Sequence, residues 1–225
     1  MESRFSTKPE KWLFINKSKE ATEKMKDELQ KIALRKINTM LKESYKQIAE
    51  KSEKGRDVHL IHNINVPGIK YRVVNYYTES ISTNLQNTNW DKLCRKYKVN
   101  SNALSDEQKK ELIILDNAVS KSTGQSKTIA IAFAKAILDY SCSKKEDDIQ
   151  GEKVYPFLID SPFGDLSGDN LFNSAQKLQS FSDQVILMIS PDSYNVVKEH
   201  IEPYVQSNYK IAKIPSKNQS IIGVN

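Results

Sequence analysis

Phe157-Leu158-Ile159-Asp160-Ser161-Pro162-Phe163-Gly164-Asp165-Leu166-Ser167-Gly168-Asp169 reads as the end of a short buried strand, over 154–159, that stops at a carboxylate and enters a tight loop. Apolar residues fill the strand, Asp160 closes it, and Pro162 and Gly164 mark the turn. A helix is expected next over 170–181, a second buried strand over 184–190, a helix over 191–205, and terminal strands over 209–214 and 220–224. Strands alternating with helices argue for an α/β domain with a largely parallel sheet. In open α/β sheets, ligands bind outside the carboxyl ends of the strands. A lone Asp at such an edge commonly organises Mg²⁺ around a nucleotide, so Asp160 is the candidate metal residue. The plainer reading is a strand that merely ends in a polar turn.

Upstream, Ser122-Thr123-Gly124-Gln125-Ser126 leads into an apolar helix that contains Ile129, Ile131, Phe133, Ile137 and Leu138. A small, Gly-containing turn opening a helix presents backbone N–H groups that favour anions. Gly124 would let a phosphate approach the backbone, and Ser122 and Gln125 add hydrogen-bonding groups. Alone, such a turn is ordinarily just a helix start. Gly124-Gln125-Ser126-Lys127-Thr128 superficially resembles the end of a phosphate-binding P-loop. That motif needs Gly, four residues, then Gly-Lys-Ser/Thr; here Lys127 follows Ser126, and Lys121 stands where the first Gly belongs. The motif is absent there and elsewhere in the sequence. A charged loop is expected over 141–153.

Towards the N-terminus, Ala21, Met25, Leu29, Ile32, Ile37, Leu41, Tyr45 and Ile48 recur at steps that mark one face of a long helix over 11–54, with Gly55 as its stop. It reads either as an amphipathic helix lying on its own domain or as the root of a coiled-coil arm. Residues 57–77 read as a strand pair around Pro67-Gly68. His59 and His62, three apart in a strand, point to opposite faces, so a shared metal is not expected. Residues 79–101 read as a loop with one short helix. Ser105 and Gln108 fit a capping box opening a helix to about Val119.

The chain has 225 residues, 38% hydrophobic and 28% charged, which suits one modest core with a solvated helical extension. A net charge of +6 and a pI near 9.1 favour polyanionic partners. Cys94 and Cys142, the only cysteines, make neither a metal-ligand spacing nor a disulfide framework, so a reducing cytoplasm is the default. Residues 1–11 lack an apolar signal-peptide core, and no apolar run approaches a membrane span, so neither secretion nor membrane insertion is expected.

The combination is more specific than its parts. Ser122-Thr123-Gly124-Gln125 resembles the signature motif of ABC-type ATPases, 157–160 their Walker B strand, Asp165-Leu166-Ser167-Gly168-Asp169 their D-loop, and 184–190 the strand before their switch loop. Asp160-Ser161-Pro162-Phe163-Gly164 is similar to SMC-like ATPases of the DNA sulfur-modification (DndD) type and related bacterial repair or defence ATPases. The long gap between Gly124 and Asp160 and the long first helix separate it from transporter subunits. The resemblance implies a coiled-coil arm root over 1–55 and the C-terminal lobe of an ABC ATPase head over 56–225. It implies that Ser122, Thr123, Gly124, Gln125 and Ser167 contact ATP, that Asp160 organises Mg²⁺, and that Ser161 and Asp165 belong to the catalytic machinery. The Walker A lysine must come from a partner lobe, heads would pair as homo- or heterodimers, and DNA is the expected polymer.

The sequence departs from that pattern in several places. Ser161 stands where most ABC ATPases carry the Glu that acts on the attacking water, and it cannot serve as a carboxylate base. Asp165 is the nearby carboxylate that could substitute. Lys121 replaces an apolar residue before the signature serine, Ser167 replaces the usual D-loop Asp, and Ser190-Pro191-Asp192 stands where a switch histidine is common. Two functions follow: a partial ATPase domain contributing signature and Walker B elements to ATP hydrolysis in a DNA repair, modification or defence complex, or a non-hydrolysing DNA- or partner-binding structural module, decayed or split.

Overall fold

Residues 8–49, 53, 55–62, 71–100, 104–143, 156–213 and 220–224 are described by a computed structural model. Lys8–Ile48 forms α1. Lys, Glu, Gln, Ala and Leu are strong helix formers, and Pro9 lies in the first turn, where its missing N–H costs nothing. Residues 15–32 of α1 are exposed throughout. Further along, Asn38, Leu41, Ser44, Tyr45 and Ile48 are buried at helical spacing. The helix ends at Ile48 rather than near residue 54. Gly55, at φ +85°, makes instead the turn that feeds the first strand, and its carbonyl accepts from Thr78 N at 2.8 Å and Thr78 Oγ1 at 3.0 Å.

Arg56–His62 (β1) and Tyr71–Tyr77 (β2) pair antiparallel with Leu60 opposite Val73 and Asp57 opposite Tyr76. The Pro67-Gly68 turn lies outside the described residues. Alternation sends Val58, Leu60 and Val73 into one core and Ile61, Val74 and Tyr76 into a second. The outer edge of β1 is closed by a side chain. Asn38 Oδ1 accepts from Leu60 N at 2.6 Å and Asn38 Nδ2 donates to Leu60 O at 2.9 Å, so the amide of α1 stands in for a third strand.

The smaller core lies under Thr78–Asn87 (α2), Trp90–Tyr97 (α3) and Asp106–Asp116 (α4). The stretch expected as a loop with one short helix therefore holds two. Asn89 caps α3 by accepting from Lys92 N, Lys98 ends it at φ 54°, and Ile81, Leu93 and Cys94 are buried; this packing overrides the weak helix propensity of Asn and Thr. Ser105 and Gln108 form both bonds of the expected capping box, although α4 ends at Asp116, before Val119.

Thr123–Ser143 (α5) packs along the second half of α1. It extends three residues, Ser141 to Ser143, into the expected loop at 141–153, and the rest of that loop lies outside the described residues. Phe157–Asp160 (β3), Gly168–Leu178 (α6) and Val185–Met188 (β4) form a β–α–β unit whose strands are parallel, with Asp160 opposite Met188. Pro191–Ile201 (α7) and a 3-10 turn at Glu202–Tyr204 follow. Tyr209–Lys213 (β5) and Ser220–Val224 (β6) pair antiparallel. Of the expected largely parallel sheet, the described residues form one parallel pair, β3–β4. The described strands make three two-stranded sheets, of which only β3–β4 is parallel. The main core gathers α1, α5, α6, α7 and one face of β3–β4, with Phe157 and Phe181 rings 5.6 Å apart.

Candidate functional site

Two local structures built from distant sequence meet here. The first is the start of α5. Residues 118–121 are held along β2: Val119 N donates to Asn75 O at 2.9 Å, Ala118 bridges Tyr76, and Lys121 Nζ donates to Val73 O at 2.8 Å. Burial, and then the charge of Arg72, hold the Lys121 ammonium below its ordinary range. Lys121, set where an apolar residue is usual, thus serves as a tether to the hairpin. Ser122 then caps α5. Its Oγ accepts from Gln125 N at 3.2 Å and its own N donates to Gln125 Oε1 at 3.0 Å. This reciprocal pair is a second capping box, with Gln three residues after Ser as the motif requires.

The second is the loop after β3. Ser161 has φ 48°, a left-handed conformation uncommon for a residue with a Cβ. Its N–H donates to Met188 O at 2.9 Å, so the ladder runs one step beyond β3, and its Oγ donates to Asp160 Oδ1 at 3.1 Å. Pro162, Phe163 and Leu166 are buried and hold the loop from below, while Asp160, Ser161, Asp165 and Ser167 are exposed. Gly164 N donates to Ser161 O at 3.4 Å and Leu166 N to Phe163 O at 3.1 Å. Ser167 is the N-cap residue of α6 without a side-chain cap bond. Ser190 caps α7 by accepting from Ser193 N at 3.3 Å, with Pro191 in the first turn.

These structures touch at Gly124. A Cβ on that residue would lie 2.9 Å from the main-chain carbonyl oxygen of Asp165. The space expected to admit a phosphate is thus bounded by the loop itself, and it is the lack of a side chain that lets helix and loop come together. The turn Ser122–Gln125 is therefore packed against the loop at Asp165. Asp160 and Ser161 are joined directly to each other, at the carboxyl edge of β3. Among the described residues, no cluster of three or more His, Cys, Asp or Glu side chains is arranged to hold a metal ion. One exposed carboxylate at that edge, Asp160, would need a nucleotide and waters to complete a Mg²⁺ shell, which suits the way Mg²⁺ is commonly bound.

The sequence reading missed Glu53. Its residue is only 9% exposed, and its carboxylate accepts from Gln125 Nε2 at 2.6 Å, Tyr45 Oη at 3.2 Å and Arg56 Nη1 at 3.2 Å. Arg56 Nη2 also donates to Tyr77 Oη at 2.8 Å. Burial and the adjacent Glu53 charge push the Tyr45 phenol up. Nothing in the local sequence Lys51-Ser52-Glu53-Lys54 distinguishes this carboxylate from a solvated one, because its partners come from α1, β1 and α5.

Among the described residues no helix is long and apolar enough to cross a membrane. No protein-family model matches the chain, and no curated protein matches it. Solved structures do. One, described as "Structural biochemistry of ATP-driven dimerization and DNA stimulated activation of SMC ATPases", is similar over 88% of this chain and 88% of its own, at 12% identity and a TM-score of 0.47. Another, described as "Crystal structure of the SmcHead bound to the C-winged helix domain of ScpA", is similar over 89% of this chain at 11% identity and a TM-score of 0.47, and the chain covers 46% of it.

Proposed function

We propose that the chain is a partial ABC-type, SMC-like ATPase domain. In this reading it contributes a signature turn, Ser122–Gln125, and a Walker B carboxylate, Asp160, to ATP binding in a DNA-associated complex. The observation that carries the reading is the juxtaposition at Gly124: a helix N-terminus suited to anions is packed on the loop that leaves a parallel strand ending in Asp160. Asp160 would hold Mg²⁺. Ser122, Thr123, Gly124, Gln125 and Ser167 would face the nucleotide. Asp160, Ser122, Thr123 and Ser167 are exposed and fit these roles in type, whereas Gly124 and Gln125 are half-buried and the Gln125 amide is bonded to Ser122 and Glu53, so those two would act through the shape of the turn. Bound Mg²⁺ would supply charge neutralisation at the β- and γ-phosphates. Ser161 donates to Asp160 and so orients that carboxylate, while Asp165 remains the nearest candidate for a base.

The need for a second lobe is supported by one-sided burial. On β3–β4, Leu158 is 59%, Ile186 43% and Met188 39% exposed, whereas parallel sheets are ordinarily covered on both faces. Within this proposal, residues 1–55 form the arm root and 56–225 the lobe, and the missing layer is the lobe that carries the Walker A lysine.

The test is Mg²⁺-ATP binding and turnover by the chain alone and with a protein that supplies the P-loop. Binding only in the pair, with turnover abolished by Asp160→Ala, is the expected result. Tight binding by the chain alone would overturn the half-domain reading, and unchanged turnover in Asp160→Ala would remove the Walker B assignment. ATP binding without turnover would favour the alternative, a non-hydrolysing binding module; the absence of a Glu at position 161 points in that direction.

A further inference from the structure

We propose that Glu53 is a positioning residue that fixes the Ser122–Gln125 turn and ties it to the arm helix α1. The proposal rests on the reading of that turn as a nucleotide-facing element only for its consequence in ATP binding; the clamp itself stands on geometry.

A Gln side chain at the third helical position can close a capping box in one amide orientation only, with Oε1 toward the N-cap N–H and Nε2 turned away. Gln125 has that orientation, since Oε1 accepts from Ser122 N and Nε2 donates to Glu53 at 2.6 Å. The carboxylate can only accept, so it admits the nitrogen and rejects the oxygen. Glu53 therefore selects the rotamer that closes the turn. The same carboxylate also receives Tyr45 of α1 and Arg56 of β1, and Tyr45 is fully packed, at 2% exposure. A shift of α1 along its axis would draw Tyr45 and Glu53 apart or carry Glu53 away from Gln125. Bonds to an ionised acceptor in a buried setting are the stronger kind, so the seating of the arm and the shape of the turn are energetically coupled and, as coupled equilibria must be, reciprocally so.

The experiment is amide exchange by NMR on the full chain, read at Ser122, Gln125 and Ser126, with the amides of α4 as an internal reference for global stability. Tyr45→Phe removes one hydroxyl without changing the core, and Gln125→Glu places two carboxylates against each other. Each is expected to speed exchange at the turn by about tenfold or more, the scale of a lost bond to a charged group, with α4 unchanged. The paired swap Glu53→Gln with Gln125→Glu rebuilds the bond with donor and acceptor reversed and keeps an acceptor for Ser122 N, so protection should return. Exchange that rises equally in the turn and in α4 would show a merely structural role and overturn the proposal. So would a turn that ignores Tyr45→Phe, or a swap no better protected than Gln125→Glu alone. These outcomes do not depend on nucleotide. Failure of the complete ATP site to bind Mg²⁺-ATP with the clamp intact would instead count against the ATPase reading.

Discussion

Replacing Gly124 by Ala is the sharpest probe of how the two halves of the candidate site meet. The new Cβ would sit 2.9 Å from Asp165 O, against 3.4 Å or more for an ordinary contact. Helix and loop must therefore part by a few tenths of an ångström. The loop has little freedom to yield, because Phe163 and Leu166 on either side of Asp165 are buried and Leu166 N bonds Phe163 O. Overpacking of this kind costs about 1–3 kcal/mol. Ala in place of a helical Gly contributes up to about 1 kcal/mol in the other direction. With the full offset of about 1 kcal/mol, the net expectation is destabilisation of roughly 0–2 kcal/mol, a fall in Tm of up to about 8 °C for a chain of this size. Thermal and urea unfolding should be run beside Gly164→Ala, whose Cβ would meet nothing nearer than Ser161 O at 3.9 Å and which should be near neutral. A Gly124→Ala chain that melts higher than the parent would refute the close approach. Unchanged stability combined with lost nucleotide binding in a completed site would assign Gly124 to the ligand instead.

Other consequences follow from single groups. Asn38→Ala should destabilise by about 2–4 kcal/mol in urea unfolding, because both the N–H and the C=O of Leu60 lose their partner in a buried setting. The pH dependence of stability should have two arms. His59 is held down at about 4 by burial and then by the charges of Lys42 and Lys110, so its contribution is complete above about 6.5 and lost as pH falls through 4. Glu111 is pushed up to about 7 by burial and then by Glu107, so its contribution is complete below about 4.5 and lost as pH rises through 7; Glu111→Gln should flatten that upper arm in unfolding titrations. The exposed apolar face of β3–β4, together with Tyr209, Ile211, Ile221 and Ile222 on β5–β6, should make the isolated chain self-associate or unfold readily, and a monodisperse, highly stable monomer by light scattering and melting would contradict this.

Much of the fold was legible because it is written in local patterns. The stretch from Phe157 to Val197 alternates short apolar runs with helical periodicity, and β3, α6, β4 and α7 lie where those patterns stand. The Ser105 cap was legible because a capping box is a contiguous signal. What failed was of another kind. Of the two helices at 78–97, the one at Trp90–Tyr97 matches the expected short helix, whereas Thr78–Asn87 is rich in Thr, Ser and Asn, poor helix formers, and takes its place through the burial of Ile81. The join between strands was not legible: pattern can identify a short apolar run as a strand, but it does not say that β5 pairs with β6 rather than extending β3–β4, nor that one face of β3–β4, expected to be buried, leaves Leu158, Ile186 and Met188 exposed. That choice is made by tertiary packing, which period-two alternation leaves open.

The candidate site divides along the same line. Asp160 and Ser122 were legible as a carboxylate at a strand end and a polar turn before a helix, since both depend on neighbours in sequence. The residues that give these two elements their relation were not. Gly124 reads as a gap for a ligand, and only the fold shows a main-chain oxygen at its boundary. Lys121 reads as an intruding charge, and only the fold shows the Val73 carbonyl that receives it. Glu53 reads as one acid among many in a lysine-rich stretch, yet it collects donors from three separate elements. In each case the side chain, or its absence, works on a group far away in the chain. Motif residues can thus announce a candidate site while the residues that set its geometry stay silent in the sequence, because their partners stand on other elements of the fold.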